Sequence, residues 1–242
     1  MSKKILFMKT LWIFYLFFGS LLSLETSTFS GKAYDENRNH LFTEEYVIEK
    51  EANKILTVTT RFLSPKGQLL GELSSEFPDS PYLPRLQFST TDALSRYGAL
   101  TLEKSIHLFK NHRSASTKTK TIPLKTNMTA GPGFYFYILD NLDELLKGLP
   151  LQMVFLQPNR LSSYTFNMKA SSLSSGNVRV TLTIDNPLLK ALVPEIRLTL
   201  DSHTKSLISY EGISGFFSDE HLLKKIHVDY TQPQPLLKNP SL

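Results

Sequence analysis

The fold follows from residues 41–63, LFTEEYVIEKEANKILTVTTRFL. Two blocks, Leu41 to Glu49 and Lys54 to Leu63, alternate apolar and polar positions and are separated by a short polar break. In the second block β-branched residues dominate, and Val58 faces the side opposite to Arg61. Alternation with a period of two predicts two half-buried β-strands.

The next five residues, SPKGQ at 64–68, have the composition of a tight turn. Pro65 fixes its backbone φ, and Gly67 can adopt a positive φ. We therefore expect a hairpin that leads into a third strand at Leu69–Phe77.

Further segments of this kind follow at roughly the 8–12 residue spacing that is typical of all-β domains. They are Arg85–Thr90, Ala99–Lys110 as one strand or two, Lys118–Leu124, Leu151–Gln157, Ser163–Lys169, Val178–Asp185, Ile196–Asp201, Ser206–Tyr210 and Ile226–Tyr230. Short strands joined by tight turns indicate antiparallel pairing. The sequence thus predicts a mainly β fold, a large curved antiparallel meander sheet shaped as a half-barrel or open barrel, with one or two short helices.

One short helix is predicted at residues 141–147, within the stretch DNLDELLKGLP. Asn141 and Glu144 have the spacing of a capping box, and Gly148 suits the left-handed position after the last turn. Because two helical turns are not stable alone in water, we expect the leucines of this helix to pack against the concave side of the sheet. A second short helix is predicted to begin at Ser218.

The aromatic run FYFY at 134–137 precedes this helix, and its alternation predicts a strand that is buried on both faces. An alternative is that the run forms the aromatic wall of an apolar cavity. The residues expected to line such a cavity are Phe134, Phe136, Leu145, Leu146, Phe155 and Phe166, with Arg160 as the polar candidate. Arg160 could bind a carboxylate or a head group, or it could form a salt bridge within the hairpin that follows.

Residues 1–23 have the plan of a secretory signal peptide, with three lysines before an apolar run that ends at Leu22. The run is shorter than the about 20 residues that a transmembrane helix needs. We expect export to the bacterial periplasm or cell envelope, with this segment either cleaved or kept as an N-terminal anchor. A β-rich domain is expected at 24–230, and an extended, proline-rich tail at 231–242.

The composition argues against several classes of function. The formal net charge is +5, and removing residues 1–23 removes three lysines and no acid, so the domain is close to neutral. Nucleic acid is therefore not an expected partner. The chain contains no cysteine, so disulfide bonds cannot stabilise it and no N-terminal cysteine can carry a lipid.

No motif in the chain has the full set of groups that a known chemistry requires. The loop DENRNH at 35–40 lacks the glycine and glutamate of a calcium-binding EF-hand, and AGPGF at 130–134 lacks the lysine of a P-loop. The six histidines show no zinc-binding spacing. Asp143 and Glu144 are explained by the first turn of the predicted helix. We therefore expect no enzyme activity, no catalytic residue, no metal and no cofactor.

The stretch from Lys104 to Lys125 is basic and contains no acid. Such a patch could meet an anionic surface or an envelope protein, although lysines on an edge strand also prevent aggregation between sheets. The residues of this predicted basic face are Lys104, Lys110, Arg113, Lys118, Lys120 and Lys125.

The central segment contains an F-L-x-P-x-R pattern with Phe155, Pro158 and Arg160, and the C-terminal segment contains a hairpin with Tyr210, Gly212 and Ser214. In these motifs the chain resembles a group of uncharacterised exported bacterial proteins. Gly215 departs from the pattern, where asparagine is expected. The resemblance implies a long antiparallel half-barrel, similar in outline to periplasmic lipoprotein carriers, and it implies no particular activity.

Two functions are consistent with the sequence. The first is a non-catalytic binding protein that holds a lipid or another apolar small molecule between the sheet and the helix. The second is an envelope interaction or scaffold protein with a filled core and a basic face. Neither the identity of a ligand nor the oligomeric state follows from the sequence.

Overall fold

The computed structural model describes residues 24–52, 54–112, 116–214 and 225–231. Within these residues, fifteen strands form one sheet and three short α-helices and one 3₁₀ turn connect them. The strands are β1 Leu24–Tyr34, β2 His40–Glu51, β3 Lys54–Leu63, β4 Leu69–Glu76, β5 Arg85–Thr90, β6 Ser95–Thr101, β7 Ser105–His112, β8 Lys118–Pro123, β9 Met128–Ala130, β10 Leu151–Gln157, β11 Ser162–Ser172, β12 Asn177–Ile184, β13 Ile196–Asp201, β14 Leu207–Ile213 and β15 Lys225–Thr231. The helices are α1 Gly133–Asp140, α2 Leu142–Leu146 and α3 Pro187–Lys190, and the 3₁₀ turn is Pro158–Arg160.

The predicted antiparallel meander is confirmed, and the two terminal strands of the described chain lie at its middle. From β1 the chain passes through consecutive neighbours to one edge, β8, and then returns from the other edge, β9, to β15. β15 pairs with β1 in antiparallel fashion, with Gly31 opposite Tyr230. The pair formed by β9 and β10 is parallel.

The sheet curls until its two ends lie against each other. Ile106 and Leu108 on β7, near one end, share a buried cluster with Val154 and Leu156 on β10, near the other end. The 3₁₀ turn after β10 also packs against β6 and β7. In the part of the chain that the structure describes, no hydrogen-bonded ladder joins the edge strands β8 and β9. Apolar side chains therefore hold this side of the curled sheet together.

The predicted turns are also confirmed. Gly67 has a φ of 79° in the hairpin between β3 and β4. In the loop at 35–40, the Asp35 carboxylate accepts hydrogen bonds from the backbone N–H groups of Asn37 and Asn39, at 2.9 and 2.8 Å. The segment Ala99–Lys110 contains parts of two strands, β6 and β7.

The prediction of a strand at residues 134–137 is wrong, because these residues belong to α1. Phe and Tyr are both large and largely apolar, so their alternation leaves no polar face, and a buried helix gives the same pattern. Tyr135, Phe136 and Ile138 are buried. Gly133 is the first residue of this helix. A side chain does not fit at this position, because a Cβ would overlap the carbonyl oxygen of Tyr82.

The predicted helix at 141–147 is present as α2, but the capping box is not formed. The Asn141 side chain donates from Nδ2 to the carbonyl oxygen of Tyr137 at 2.8 Å, and Glu144 forms an ion pair with Lys147 at 2.7 Å. α1 ends where α2 begins, so the backbone N–H groups of α2 find acceptors in the preceding turn. Gly148 has the expected left-handed conformation, with a φ of 82°.

The main core lies on the inner face of the curled sheet, where α1 and α2 pack against it. It contains Phe136, Ile138, Leu142 and Leu145 from the helices, together with inward residues of β10 to β13 such as Met153. No helix among the described residues is long and apolar enough to cross a membrane. The predicted signal segment at 1–23, the second helix predicted from Ser218, residues 232–242 of the predicted tail and Arg113 lie outside the described residues.

Candidate ligand cavity

The core does not fill the inside of the curled sheet. A cavity of about 400 Å³ remains between the strands and α1. Its wall is largely apolar and aromatic, with side chains from strands on both sides of the β1 and β15 pair, from α1 and from the segment after α3. This volume lies within the range of about 300–1,000 Å³ that is usual for small-molecule sites.

Most of the predicted lining residues contact this cavity. Phe134 and Phe136 on α1, Phe155 on β10 and Phe166 on β11 all lie in its wall, and the rings of Phe134 and Phe155 meet edge to face at 5.9 Å. Phe134 and Phe136 reach it from a helix rather than from a strand.

The two leucines of α2 lie elsewhere. Leu145 is 1% exposed and packs in the core, and Leu146 is 38% exposed on the surface. Neither is part of the cavity wall. The cavity therefore depends on the aromatic residues of α1 and the sheet, while α2 supports the core.

Arg160 also lines the cavity. It ends the 3₁₀ turn, and Leu161 after it has a left-handed backbone with a φ of 49°, which turns the chain into β11. Its Nε atom is buried and has no hydrogen-bond partner among the described residues. A buried guanidinium nitrogen without an acceptor is costly, and Arg160 brings a positive charge to the cavity wall.

A partly buried acid that was not among the predicted site residues lies in the same wall. Glu44 on β2 faces the cavity, and its Oε2 atom accepts hydrogen bonds from the hydroxyl groups of Tyr46, at 2.8 Å, and Tyr230, at 3.2 Å. The Tyr46 ring stacks on Phe29 with ring centroids 4.3 Å apart. The sequence contained a signal, since Glu44 shares its strand face with Tyr46 and Ile48 at a spacing of two residues.

Glycines make room for the tyrosines around this acid. Gly31 lies between Glu44 and Tyr230 in the sheet, paired with one on each side. A Cβ at Gly31 would lie 2.6 Å from Cε1 of Tyr230. Because glycine has no side chain, the Tyr230 ring can lie across β1 and reach the carboxylate on β2.

The cavity environment changes the protonation of these groups. Burial raises the pKa of the Glu44 carboxyl above its ordinary value, and the hydrogen bonds from Tyr46 and Tyr230 only partly oppose this effect. Burial, and then the charge of Glu44, raise the pKa values of Tyr46, Tyr230 and Tyr210. The three hydroxyl groups therefore stay protonated at neutral pH and can donate hydrogen bonds.

Exposed apolar side chains lie beside the cavity, on α3 and in the segment after it. Asn186 caps α3 by accepting hydrogen bonds from the N–H groups of Leu188 and Leu189, at 2.9 and 3.3 Å. Leu192 lines the cavity and is also 71% exposed, while Leu188 on α3 is 84% exposed. A ligand that enters here would therefore pass apolar side chains.

The lysines of the predicted basic face are divided between the two ends of the hairpin formed by β7 and β8. Lys104 and Lys125 flank the end where Ser105 pairs with Pro123, and Lys110 pairs with Lys118 near the other end. A strand rises about 3.3 Å per residue, so these two groups are roughly 20 Å apart. Lys118 and Lys120 are exposed on the edge strand.

The described residues contain no group of three His, Asp or Glu side chains that could hold a metal ion. Neither a protein-family model nor a curated protein sequence matches the chain. Among solved structures, the chain is similar to a beta-barrel-like protein of a domain of unknown function, DUF1849, from Brucella abortus. The two share 9% sequence identity, the match covers 87% of this chain and 96% of that chain, and the TM-score is 0.39.

Proposed function

We propose that this protein is a non-catalytic binding protein that holds a lipid or another apolar small molecule inside its curled sheet. The observation that carries the proposal is the cavity of about 400 Å³ with its apolar, aromatic wall. Protein interiors are normally close-packed, with few voids larger than a water molecule. An apolar void of this size is costly unless a ligand fills it.

The wall offers the interactions that an amphiphile needs. Each methylene group that leaves water for an apolar site contributes about 0.8 kcal/mol, and the aromatic rings around the cavity supply such a site. Arg160 supplies a charged donor at one point of the wall. A ligand with an apolar body and an anionic group would satisfy both features.

The proposed location is the bacterial periplasm or cell envelope, and it rests on residues 1–23 of the sequence alone. An apolar cargo is consistent with this location, because lipids must cross an aqueous space between membranes with their acyl chains covered.

The proposal can be tested by native mass spectrometry of the full chain, purified from a bacterial host without detergent. We expect an additional mass of lipid size on the protein. The test needs a variant that fills the cavity, and Leu145 is unsuitable because it packs in the core. Leu207 on β14 lines the cavity, whereas the next residue, Ile208, does not.

Leu207→Trp should therefore reduce the fraction of protein that carries the extra mass, and Ile208→Trp should leave this fraction unchanged. The two variants insert the same ring at adjacent positions of one strand, and of the two positions only Leu207 lines the cavity, so each controls for the other. If folded Leu207→Trp protein retains the wild-type fraction, the ligand does not lie in this cavity. If the wild type carries no extra mass and takes up no added lipid, the proposed function is wrong.

The second candidate, an interaction protein with a basic face, is favoured by the exposed lysines of the edge strand β8. Lys118→Glu combined with Lys120→Glu should then weaken binding to vesicles that contain anionic lipid. Unchanged vesicle binding by this double variant would exclude β8 as the contact surface.

A further inference from the structure

Glu44 is an unusual component of an apolar cavity. Glu44 and Arg160 are the two charged side chains among the described residues of the wall. Glu44 lies on β2 and Arg160 in the 3₁₀ turn after β10, far apart in the sheet order, and no ion pair joins them. Burial of a carboxylate is costly unless hydrogen bonds or an opposite charge compensate it. The compensation for Glu44 within the described chain consists of two tyrosine hydroxyl groups.

Both tyrosine hydrogen bonds end on the same oxygen. Tyr46 and Tyr230 donate to Oε2, and no described residue donates to Oε1. The Glu44 side chain keeps part of its accessible surface, which faces the cavity. Oε1 is therefore an acceptor that is held in place by its neighbours and left open toward the ligand volume.

We propose that Glu44 is a specificity-determining residue that binds a hydrogen-bond donor of the ligand, a hydroxyl or an amine group, at its Oε1 atom. This inference rests on the proposed binding function and adds the chemical class of the ligand. Tyr46 and Tyr230 act as positioning residues, because their hydrogen bonds fix the carboxylate across the space above Gly31. With Arg160 elsewhere in the wall, the preferred ligand has an apolar body, one donor group and one anionic group.

A donor fits this site better than an acceptor because of the direction of the tyrosine hydrogen bonds. The hydroxyl groups of Tyr46 and Tyr230 donate to Oε2 and so oppose the effect of burial on this carboxyl. In its ionised form the carboxylate can only accept hydrogen bonds. An ammonium group would also remove the uncompensated charge, and a hydroxyl group would supply a third hydrogen bond. A ligand carbonyl would instead require Glu44 to remain protonated.

The test is an isothermal titration of the full-length protein with three ligands that share one chain length. Dodecylamine and 1-dodecanol carry a donor, and methyl dodecanoate carries an acceptor only. We expect at least one donor ligand to bind about tenfold or more tightly than the ester, as one hydrogen bond to a charged group would give. The tighter of the two donors identifies the source, an amine or a hydroxyl group.

Glu44→Gln keeps the size and shape of the side chain and should remove the advantage of the amine. The alcohol should lose less, because the amide of glutamine can still bond to a hydroxyl group. The matched control is Glu45→Gln, since Glu45 is the next acid on β2 and pairs on the outer face with Arg61 at 3.7 Å. This control should leave the affinities of all three ligands unchanged.

The outcomes separate this inference from the proposed function. The first comparison uses the wild type alone. If the ester binds to it as tightly as both donor ligands, Glu44 has no role in specificity and the binding function stands. If Glu44→Gln and Glu45→Gln have the same effect on amine affinity, the assignment of Oε1 is also wrong. If none of the three ligands binds, the proposed function fails together with the inference.

Discussion

Gly212→Ala is expected to destabilise the protein because Gly212 leaves room for an aromatic side chain of its own strand. A Cβ at this position would lie 2.5 Å from the hydroxyl oxygen of Tyr210, 2.7 Å from its Cζ and 3.1 Å from its Cε1. The ring lies over Gly212 and donates to the carbonyl oxygen of Ile213 at 3.0 Å. The ring must therefore move by about an ångström before an added methyl group is at an ordinary contact distance from it.

The expected loss of stability combines two effects. Overpacking in a filled region costs about 1–3 kcal/mol, and loss of the hydrogen bond to Ile213 costs about 1 kcal/mol. We expect the free energy of unfolding to fall by about 2–4 kcal/mol, measured by urea titration with circular dichroism. For a domain of this size, the same change lowers Tm by roughly 4–15 °C.

A double-mutant cycle with Tyr210→Ala tests the reason for this loss. All three of the nearest atoms to the added Cβ belong to Tyr210, so removal of the ring should remove the conflict. In the Tyr210→Ala background, Gly212→Ala should cost less than about 0.5 kcal/mol, which gives a coupling of about 1.5 kcal/mol or more. If Gly212→Ala costs the same in both backgrounds, the glycine does not serve to accommodate the ring.

Three further predictions concern the cavity and its supports. Because burial raises the pKa of Glu44 above about 4.5 in the folded state, the wild type should lose stability as pH rises from 4.5 through the folded-state pKa, by up to about 1.4 kcal/mol per pH unit. Glu44→Gln should not show this loss, and the same dependence of stability on pH in both proteins across this range would contradict the assignment. The groups that face Glu44 are Tyr46 on its own strand, Tyr230 on β15 and Tyr210 on β14. Arg160→Ala should weaken binding of dodecanoate about tenfold and leave 1-dodecanol unaffected, and equal losses for both would point to a general defect in the cavity. Gly133→Ala should lower Tm in thermal unfolding although alanine favours helices, and an unchanged or higher Tm would show that Tyr82 can move away.

Most strands could be predicted because one of their faces is buried and the other is not. Apolar and polar residues therefore alternate in the sequence with a period of two. β3, β5, β10 and β13 have the predicted bounds. α1 could not be predicted in the same way, since nearly all its side chains are large and apolar and no polar face marks the period. The short strand β9 was not predicted either, because a segment of three residues is too short to show a period of two.

The candidate site was predictable only in part. Aromatic residues near a short helix indicated the region of the cavity, and four of the predicted phenylalanines lie in its wall. Glu44 was missed because an acid in a strand is ordinarily assigned to the solvent face, and Glu45 beside it behaves in this way. The spacing of two residues between Glu44, Tyr46 and Ile48 places Glu44 on the inner face. Its contact with Tyr230 depends on the pairing of β1 with both β2 and β15, which joins distant segments and is not visible in local alternation.

Two motifs that are separate in the sequence meet at the cavity. Phe155, Pro158, Arg160 and Tyr210, which lie in two separate motifs of the sequence, all meet at the cavity wall. Aromatic rings and a turn give the cavity its shape, and the guanidinium group of Arg160 adds a charged donor to its wall. Glu44 enters from the other half of the chain, across the seam between β1 and β15. Because each half contributes one charged residue to the wall, only the complete sheet can present a carboxylate and a guanidinium group to the same ligand.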